Sequence, residues 1–202
     1  MENKKEKIIL VFLFISLFAI NYPFLDKAVA GFLENDETAF VSRIVDGDTI
    51  IGNNESIRLL GINTPERGEK YYFEAKEFLE SQILNKTVKL KFGKERKDIY
   101  NRTLAYVFLG SQNINLEIVE KGFANYYFPT GKDIYYENFR EVWNQCIKKE
   151  INLCEKSKDI CSRCIELKEL DVKNQEVIFG NKCGFSCNLE NWEIKDEGRK
   201  KF

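Results

Sequence analysis

The sequence contains no histidine. Histidine is the only side chain whose unperturbed pKa lies close to neutral pH, and it is the commonest protein ligand of transition metals. Enzymes that depend on a histidine base, or on a metal held mainly by histidine, are therefore excluded. Any general base must be a carboxylate, a lysine or a tyrosine, and any metal is expected among oxygen ligands.

The chain also lacks a large excess of either charge, with 31 Lys and Arg against 32 Asp and Glu. Its bulk composition therefore does not indicate a nucleic-acid binder. Locally, residues 86–97 (KTVKLKFGKERK) carry six cationic residues and one glutamate. Lys89 and Lys91 alternate with apolar residues, which predicts a strand with one apolar and one basic face. The basic face is either solvated or a track for a phosphate backbone.

A third absence is an apolar run long enough to cross a bilayer comfortably. The run 8–20 follows the basic start MENKKEK and is shorter than the roughly 20 residues that a spanning helix needs. Ala28-Val29-Ala30 matches the small-x-small pattern that signal peptidase recognises. We expect residues 1–30 to be a cleaved secretory signal, with a retained anchor over residues 8–25 as the alternative. Both place the remainder outside the cytoplasm.

The pattern after residue 38 alternates apolar runs with turns. It predicts strands over 40–51, 56–61, 87–92 and 103–109, and a further short strand near Ile114. Helical spacing and stop signals predict helices over 69–84, 115–121 and 133–151. Five short antiparallel strands with helices indicate an α+β domain built on the barrel called the OB-fold.

Residues 45–66 (VDGDTIIGNNESIRLLGINTPE) gather the polar side chains. Strands over 49–52 and 57–61, joined by the turn Gly52-Asn53-Asn54, would form a hairpin that brings Asp48 beside Asn63. Carboxylate, amide and carbonyl oxygens could then converge on a hard cation such as calcium. Taken singly, an Asp-Gly turn and an Arg-Leu-Leu-Gly strand are ordinary structural features.

Two motifs together are more specific. The first is D-G-D-T at 46–49 followed by R-L-L-G-I-N-T-P-E at 58–66, and the second is D-I-Y-N-R-T-L-A-Y at 98–106. The chain resembles the staphylococcal nuclease (thermonuclease) family. That resemblance implies a five-stranded OB-fold barrel with three helices over about residues 39–152.

The resemblance also implies roles for individual residues. Asp48 (carboxylate), Asn63 (side-chain oxygen) and Thr64 (main-chain carbonyl) would bind Ca²⁺. Glu66 would orient or deprotonate the attacking water, Arg58 and Arg102 would hold the scissile phosphate, and Tyr100 would contact a neighbouring phosphate. At the position of Asn63 the best-known members carry aspartate, so we expect weaker calcium binding here. The segment Tyr126-Tyr127-Phe128 either stacks on bases or packs in the core.

The implied function is an exported, calcium-dependent endonuclease that cuts DNA and RNA with little sequence preference and leaves 3′-phosphate ends. One alternative is a non-catalytic OB-fold module that only binds nucleic acid, which Asn63 favours and the complete set of charged residues opposes. Another is a wall-associated or membrane-tethered protein dominated by its tail. Membrane contact is expected only if the N-terminal segment is retained, and no obligate protein partner is inferred.

The tail carries most of the six cysteines. Cys161-x2-Cys164 and Cys183-x3-Cys187 come close to a zinc-ribbon spacing, but an exported chain favours disulfides over zinc or free thiols. Cys146 and Cys154 are a plausible pair. Residues 176–202 resemble the opening of an immunoglobulin-like lamin-tail domain, which predicts a cysteine-rich partial β segment over 161–202. We expect that the sequence is truncated within this domain, with a partial sheet packed on the preceding domain as the alternative.

Overall fold

The computed structural model describes residues 4, 7, 10–14, 16, 37–171, 173–190 and 192. The chain divides into two compact units, Met1–Glu37 and Thr38–Phe202. In the first unit residues 10–14 are helical, whereas the rest of the predicted signal or anchor, including residues 28–30, lies largely outside the described residues. Among the residues that are described, no helix combines the length and apolarity needed to cross a membrane.

The strands have the bounds β1 Glu37–Asp46, β2 Thr49–Gly52, β3 Glu55–Leu59, β4 Ile62–Asn63, β5 Thr87–Lys97, β6 Thr103–Leu109, β7 Gln112–Asn113, β8 Asn125–Tyr126, β9 Ile165–Asp171 and β10 Glu176–Asn181. The helices are α1 Tyr72–Ile83, α2 Ile114–Glu120 and α3 Tyr136–Lys149, with short 3-10 turns at Asn152–Cys154 and Ile160–Arg163.

Five strands close into a barrel in the order β3-β2-β1-β5-β6, because β6 pairs in parallel with β3 as well as antiparallel with β5. The side chains that point into the barrel form the hydrophobic core, and α1, α2 and α3 pack against the barrel from outside. The largest fully buried side chains of the core include Ile50, Ile57, Leu59, Leu79, Tyr106, Ile118 and Phe139. The predicted OB-fold with three helices is confirmed.

The predicted hairpin turn is also confirmed. Asn53 and Asn54 have φ of 50° and 66°, the left-handed pair that a two-residue turn between right-twisted strands requires. Two predicted elements are corrected. The strand predicted over 40–51 is broken at Gly47-Asp48, where the chain turns from β1 into β2, and Ile114 begins α2 after the short strand β7. Asn113 accepts a hydrogen bond from the Leu116 N–H and so caps that helix.

All six cysteines are paired, as Cys146–Cys154, Cys161–Cys187 and Cys164–Cys183. The preference for disulfides and the suggested Cys146–Cys154 pair are confirmed. The tail contains the hairpin β9–β10, whose apolar side chains are largely exposed. Its likeness to a lamin-tail domain stays a prediction.

Candidate active site

The turn Gly47-Asp48 lies directly against the segment that follows β4. A Cβ built on Gly47 would lie 2.7 Å from the Ala75 Cβ and 2.8 Å from the Thr64 Cβ. Only glycine allows this approach without moving a neighbour. The sequence therefore places the two aspartates that flank Gly47 beside Thr64.

The Asp48 carboxylate is the centre of this contact. Asp48 is buried, with 7% of its surface exposed. Its Oδ1 accepts a hydrogen bond from the Thr49 hydroxyl at 3.1 Å, and its Oδ2 accepts one from the Thr64 N–H at 3.2 Å. Burial, followed by the nearby charge of Asp48, raises the pKa of Asp46. Two carboxylates in such close proximity repel each other, and a bound cation relieves that repulsion.

Arg58 connects the turn at residues 46–48, which we call the acidic turn, to the start of β4. Its Nη2 lies 2.9 Å from the Asp48 Oδ2 and donates to the Ile62 carbonyl at 2.9 Å, while its Nη1 donates to the Leu59 carbonyl at 2.6 Å. These contacts occupy three of the five N–H donors of a guanidinium and leave the Nε N–H and one Nη1 N–H. Because those two N–H groups lie on different edges of the guanidinium, Arg58 in this position offers an anion single hydrogen bonds and not a parallel pair.

The parallel pairing of β3 with β6 brings Arg58 and Arg102 to one surface. Arg58 is in register with Leu104, and Arg102 lies two residues before Leu104 along the chain. Arg58 and Leu104 therefore share a face of the sheet, and Arg102, in the turn just before β6, lies at the same surface. Arg58, Arg102, Leu104 and Tyr106 all line one open cleft of about 340 Å³.

Asp98 positions Arg102 at that cleft. Its carboxylate accepts hydrogen bonds from the Arg102 N–H at 2.9 Å and from the Arg102 Nε at 2.7 Å. Partial burial raises the pKa of Asp98, but the hydrogen bonds from Arg102 outweigh that effect and the pKa is lowered overall. Tyr100, at the tip of the same turn, is 74% exposed, and its ring centroid lies 5.5 Å from the Arg102 Cζ.

Residues 127–133 form the opposite wall of the cleft. The Tyr106 hydroxyl donates to Asp133 and so joins this wall to the barrel. Burial, together with that hydrogen bond, raises the pKa of Tyr106 well above its usual range. Of the segment whose role the sequence leaves open, Tyr127 and Phe128 line the cleft, and Tyr126 packs against Trp143.

The remaining predicted residues follow β4. Asn63, which is 9% exposed, pairs with Asn125 of β8, and the adjacent Thr64 is 2% exposed. Glu66 is exposed, and its N–H donates to the Glu69 Oε2 at 2.8 Å. The structure thus brings Asp48 into contact with both Arg58 and Thr64, and Arg58 shares the cleft with Arg102. Of the predicted site residues, only Arg58 and Arg102 line the cleft; the others do not, namely Asp48, Asn63, Thr64, Glu66 and Tyr100.

Sequence reasoning gave no role to Asp98, Asp133 or Lys132, although all three line the cleft. Asp98 could have been found, because it stands four residues before Arg102 inside a quoted motif. Asp133 could not have been found from the sequence, because it lies in no motif. Its contact with Tyr106 depends on how residues 127–133 fold against the barrel.

The acidic turn and β4 together fit a hard cation. Asp48, Asn63 and Thr64 are all buried polar residues, and their side-chain and main-chain carbonyl groups offer oxygen ligands only. Asp46 adds a second carboxylate next to them. This donor set suits a calcium-like ion and is unsuited to metals that prefer sulfur or imidazole.

Comparison with known proteins agrees with this geometry. A family model described as staphylococcal nuclease homologue matches residues 56–156. The thermonuclease of Staphylococcus intermedius is 35% identical over 130 residues, which cover 59% of this chain and 77% of that protein. The thermonuclease of Staphylococcus hyicus is 35% identical over 131 residues, covering 59% and 76%. An uncharacterized endonuclease of Haemophilus influenzae is 37% identical over 109 residues, covering 52% and 60%.

Proposed function

Since the chain belongs to the staphylococcal nuclease family and is a phosphodiester hydrolase, we propose that it is an exported, calcium-dependent endonuclease. Its substrates are DNA and RNA, cut with little sequence specificity, and its products end in 3′-phosphate. One observation carries the proposal. Arg58 and Arg102 line the same cleft, and Asp48 lies 2.9 Å from Arg58, so an anion site adjoins an acidic one.

Calcium is the proposed ion because the buried donors are oxygens. The Asp48 carboxylate, the Asn63 side-chain oxygen and the Thr64 main-chain carbonyl would hold it. When bound, calcium supplies positive charge for the phosphoryl oxygens and lowers the pKa of bound water modestly. Support for the assignment comes from the burial of these three residues and from the second carboxylate, Asp46.

The chain's own residues supply the rest of the chemistry. Arg58 and Arg102 bind the scissile phosphate through their N–H groups and stabilise the charge that grows on its oxygens. Each is held by an aspartate, so little side-chain entropy is lost when the phosphate binds. Glu66 takes the proton of the attacking water, and its exposed position lets it release that proton to solvent. Tyr100 contacts the next phosphate.

Export is supported by the cysteines. All six form disulfides, which persist in oxidising compartments and are rare in the cytosol. Together with the predicted N-terminal signal, this points to a protein that acts outside the cytoplasm.

The test is digestion of single-stranded DNA and of RNA by the purified protein, with calcium, with magnesium and with a chelator. We expect cleavage with calcium, none with the chelator, and 3′-phosphate ends on the products. Absence of cleavage of any polynucleotide at saturating calcium would overturn the proposal. Tight binding without cleavage would instead favour the non-catalytic module.

A further inference from the structure

The outward side of β5 carries a row of lysines that leads into the cleft. Val88 and Leu90 are 1% and 7% exposed and belong to the barrel core. Lys89 and Lys91 alternate with them and therefore lie on the other face of the strand. Lys94, farther along β5, would share the face of Val88 and Leu90 by simple alternation, but the register with β6 shifts between Phe92 and Lys97, and Lys94 lines the cleft. We call Lys89, Lys91 and Lys94 the basic ridge.

The basic ridge runs beside an aromatic ring. Lys89 is in register with Phe108 of β6, and the Lys91 Nζ lies 5.7 Å from the centroid of that ring. Phe108 is only partly buried. Phe108 packs against the core and lies 6.2 Å from the Tyr135 ring, so the contact that this surface offers a single strand is the one between its lysines and the phosphates.

The basic ridge is continuous with the proposed phosphate site. Lys94 shares the cleft with Arg58 and Arg102. At about 3.4 Å per strand residue, Lys89 lies roughly 17 Å farther along β5 than Lys94. A strand stacked at about 3.4 Å per nucleotide covers that length with roughly five nucleotides. A short oligonucleotide in the cleft would not reach Lys89, whereas a long one would.

The positive charge of residues 86–97 is not required by the barrel fold. The barrel needs only the inward residues of β5, yet residues 86–97 carry six cationic residues and one glutamate in a chain of net charge −1. We infer that the basic ridge binds the phosphates of a polynucleotide strand where it leaves the cleft. This inference rests on the proposed function, and it adds a binding surface outside the catalytic residues.

The experiment measures binding without cleavage. The full chain with Glu66→Gln is titrated with fluorescent oligothymidylates of about two nucleotides, too short to reach Lys91 from the cleft, and of about 30 nucleotides, over a range of salt concentrations. Each phosphate contact to a single strand contributes about 0.7 to the slope of log Kobs against log salt. Adding Lys89→Gln and Lys91→Gln should lower the long-strand slope by about 1.4 and leave the short-strand slope within about 0.3.

The matched control adds Lys148→Gln and Lys173→Gln, two exposed lysines away from β5, and should leave both slopes unchanged. An unchanged long-strand slope in the protein with Lys89→Gln and Lys91→Gln, or an equal decrease in the control protein, would overturn the inference. The two proposals fail separately. Suppose that the unmutated protein cuts no polynucleotide, but that Lys89→Gln with Lys91→Gln still lowers the long-strand slope of log Kobs against log salt. The nuclease proposal then fails, and the inference that the basic ridge binds phosphates is supported.

Discussion

The Asp48 Oδ2 lies 2.9 Å from the Arg58 Nη2, in a hairpin where Thr49 and Arg58 are in register. Asp48 thus belongs to the proposed cation site, and Arg58 to the proposed phosphate site. A change in one residue must therefore affect the other. This coupling makes the pair the most informative place to test the mechanism.

Arg58→Lys should be far from conservative. An ammonium cannot reach Asp48, the Leu59 carbonyl and the Ile62 carbonyl together, whereas the guanidinium does. We expect kcat/KM to fall about 100-fold or more, and the free energy of unfolding to fall by about 1–3 kcal/mol. Steady-state kinetics and urea unfolding measure the two effects. Arg140→Lys, at an exposed helical pair, is the control and should change neither.

Asn63→Asp should strengthen calcium binding. It restores a negative charge beside Asp48, worth on the order of 1–2 kcal/mol in a partly solvated site. The calcium concentration for half-maximal activity should fall by about 5–30-fold. Without calcium, the added like charge should lower the thermal unfolding midpoint. An unchanged calcium titration would remove Asn63 from the cation site.

Glu66→Gln should abolish most activity and leave the fold intact. Its carboxylate is the proposed base, and loss of a general base costs roughly 10²–10⁴-fold in kcat. Glu66 is exposed, so the unfolding midpoint should not change. Glu69→Gln is the control, because it keeps an oxygen to accept the Glu66 N–H. Equal activity in both variants would show that Glu66 is not the base.

Asp98 should make stability depend on pH in the acid range. Its pKa in the folded protein is lowered, so the carboxylate stabilises the fold above the unfolded pKa of about 3.9. That contribution is lost as pH falls through the folded pKa. The difference in unfolding free energy between the native protein and Asp98→Asn should be constant above about pH 5 and shrink below about pH 4. Urea unfolding from pH 7 to pH 3 measures it.

The Cys146–Cys154 disulfide should stabilise the barrel without affecting catalysis. It joins buried Cys146 on α3 to the turn whose Leu153 N–H bonds to the Gly122 carbonyl. Closing so short a loop is worth about 2.5 kcal/mol by chain entropy. Replacing both residues by serine should lower the unfolding free energy by about that amount and keep kcat/KM within about twofold, because neither residue lines the cleft. Replacing Cys164 and Cys183 by serine should instead speed the hydrogen exchange of backbone amides in the hairpin β9–β10.

Several features could be predicted from the sequence because they are local. The Gly52-Asn53-Asn54 turn follows from residues that accept positive φ, and the alternation in β5 follows from the pleat of a strand. Both are present. Helix bounds were less exact. The first helix was expected from residue 69, but residues 66–69 form a turn in which the Glu69 side chain bonds to the Glu66 N–H, and α1 begins at Tyr72.

The candidate site was predictable only as a set of residue types. The two motifs named Asp48, Arg58, Asn63 and Arg102, but spacing cannot show that Arg58 holds the Ile62 carbonyl. Nor can it show that Asp133 anchors a cleft wall through Tyr106. Such contacts join segments that are far apart in sequence, and they form only when the barrel closes.

The sequence by itself determined the chemistry available to this protein. The sequence has no histidine and places oxygen donors around one hairpin. Carboxylates and guanidinium groups are therefore the side chains left for metal binding, acid–base chemistry and phosphate binding. The family resemblance implied that Arg58 and Arg102 act on one phosphate, but only the tertiary structure placed both at one cleft, because that depends on the parallel pairing of β3 with β6. A parallel pair has no short turn to specify it, so its register is set by the packing of the whole barrel around its core.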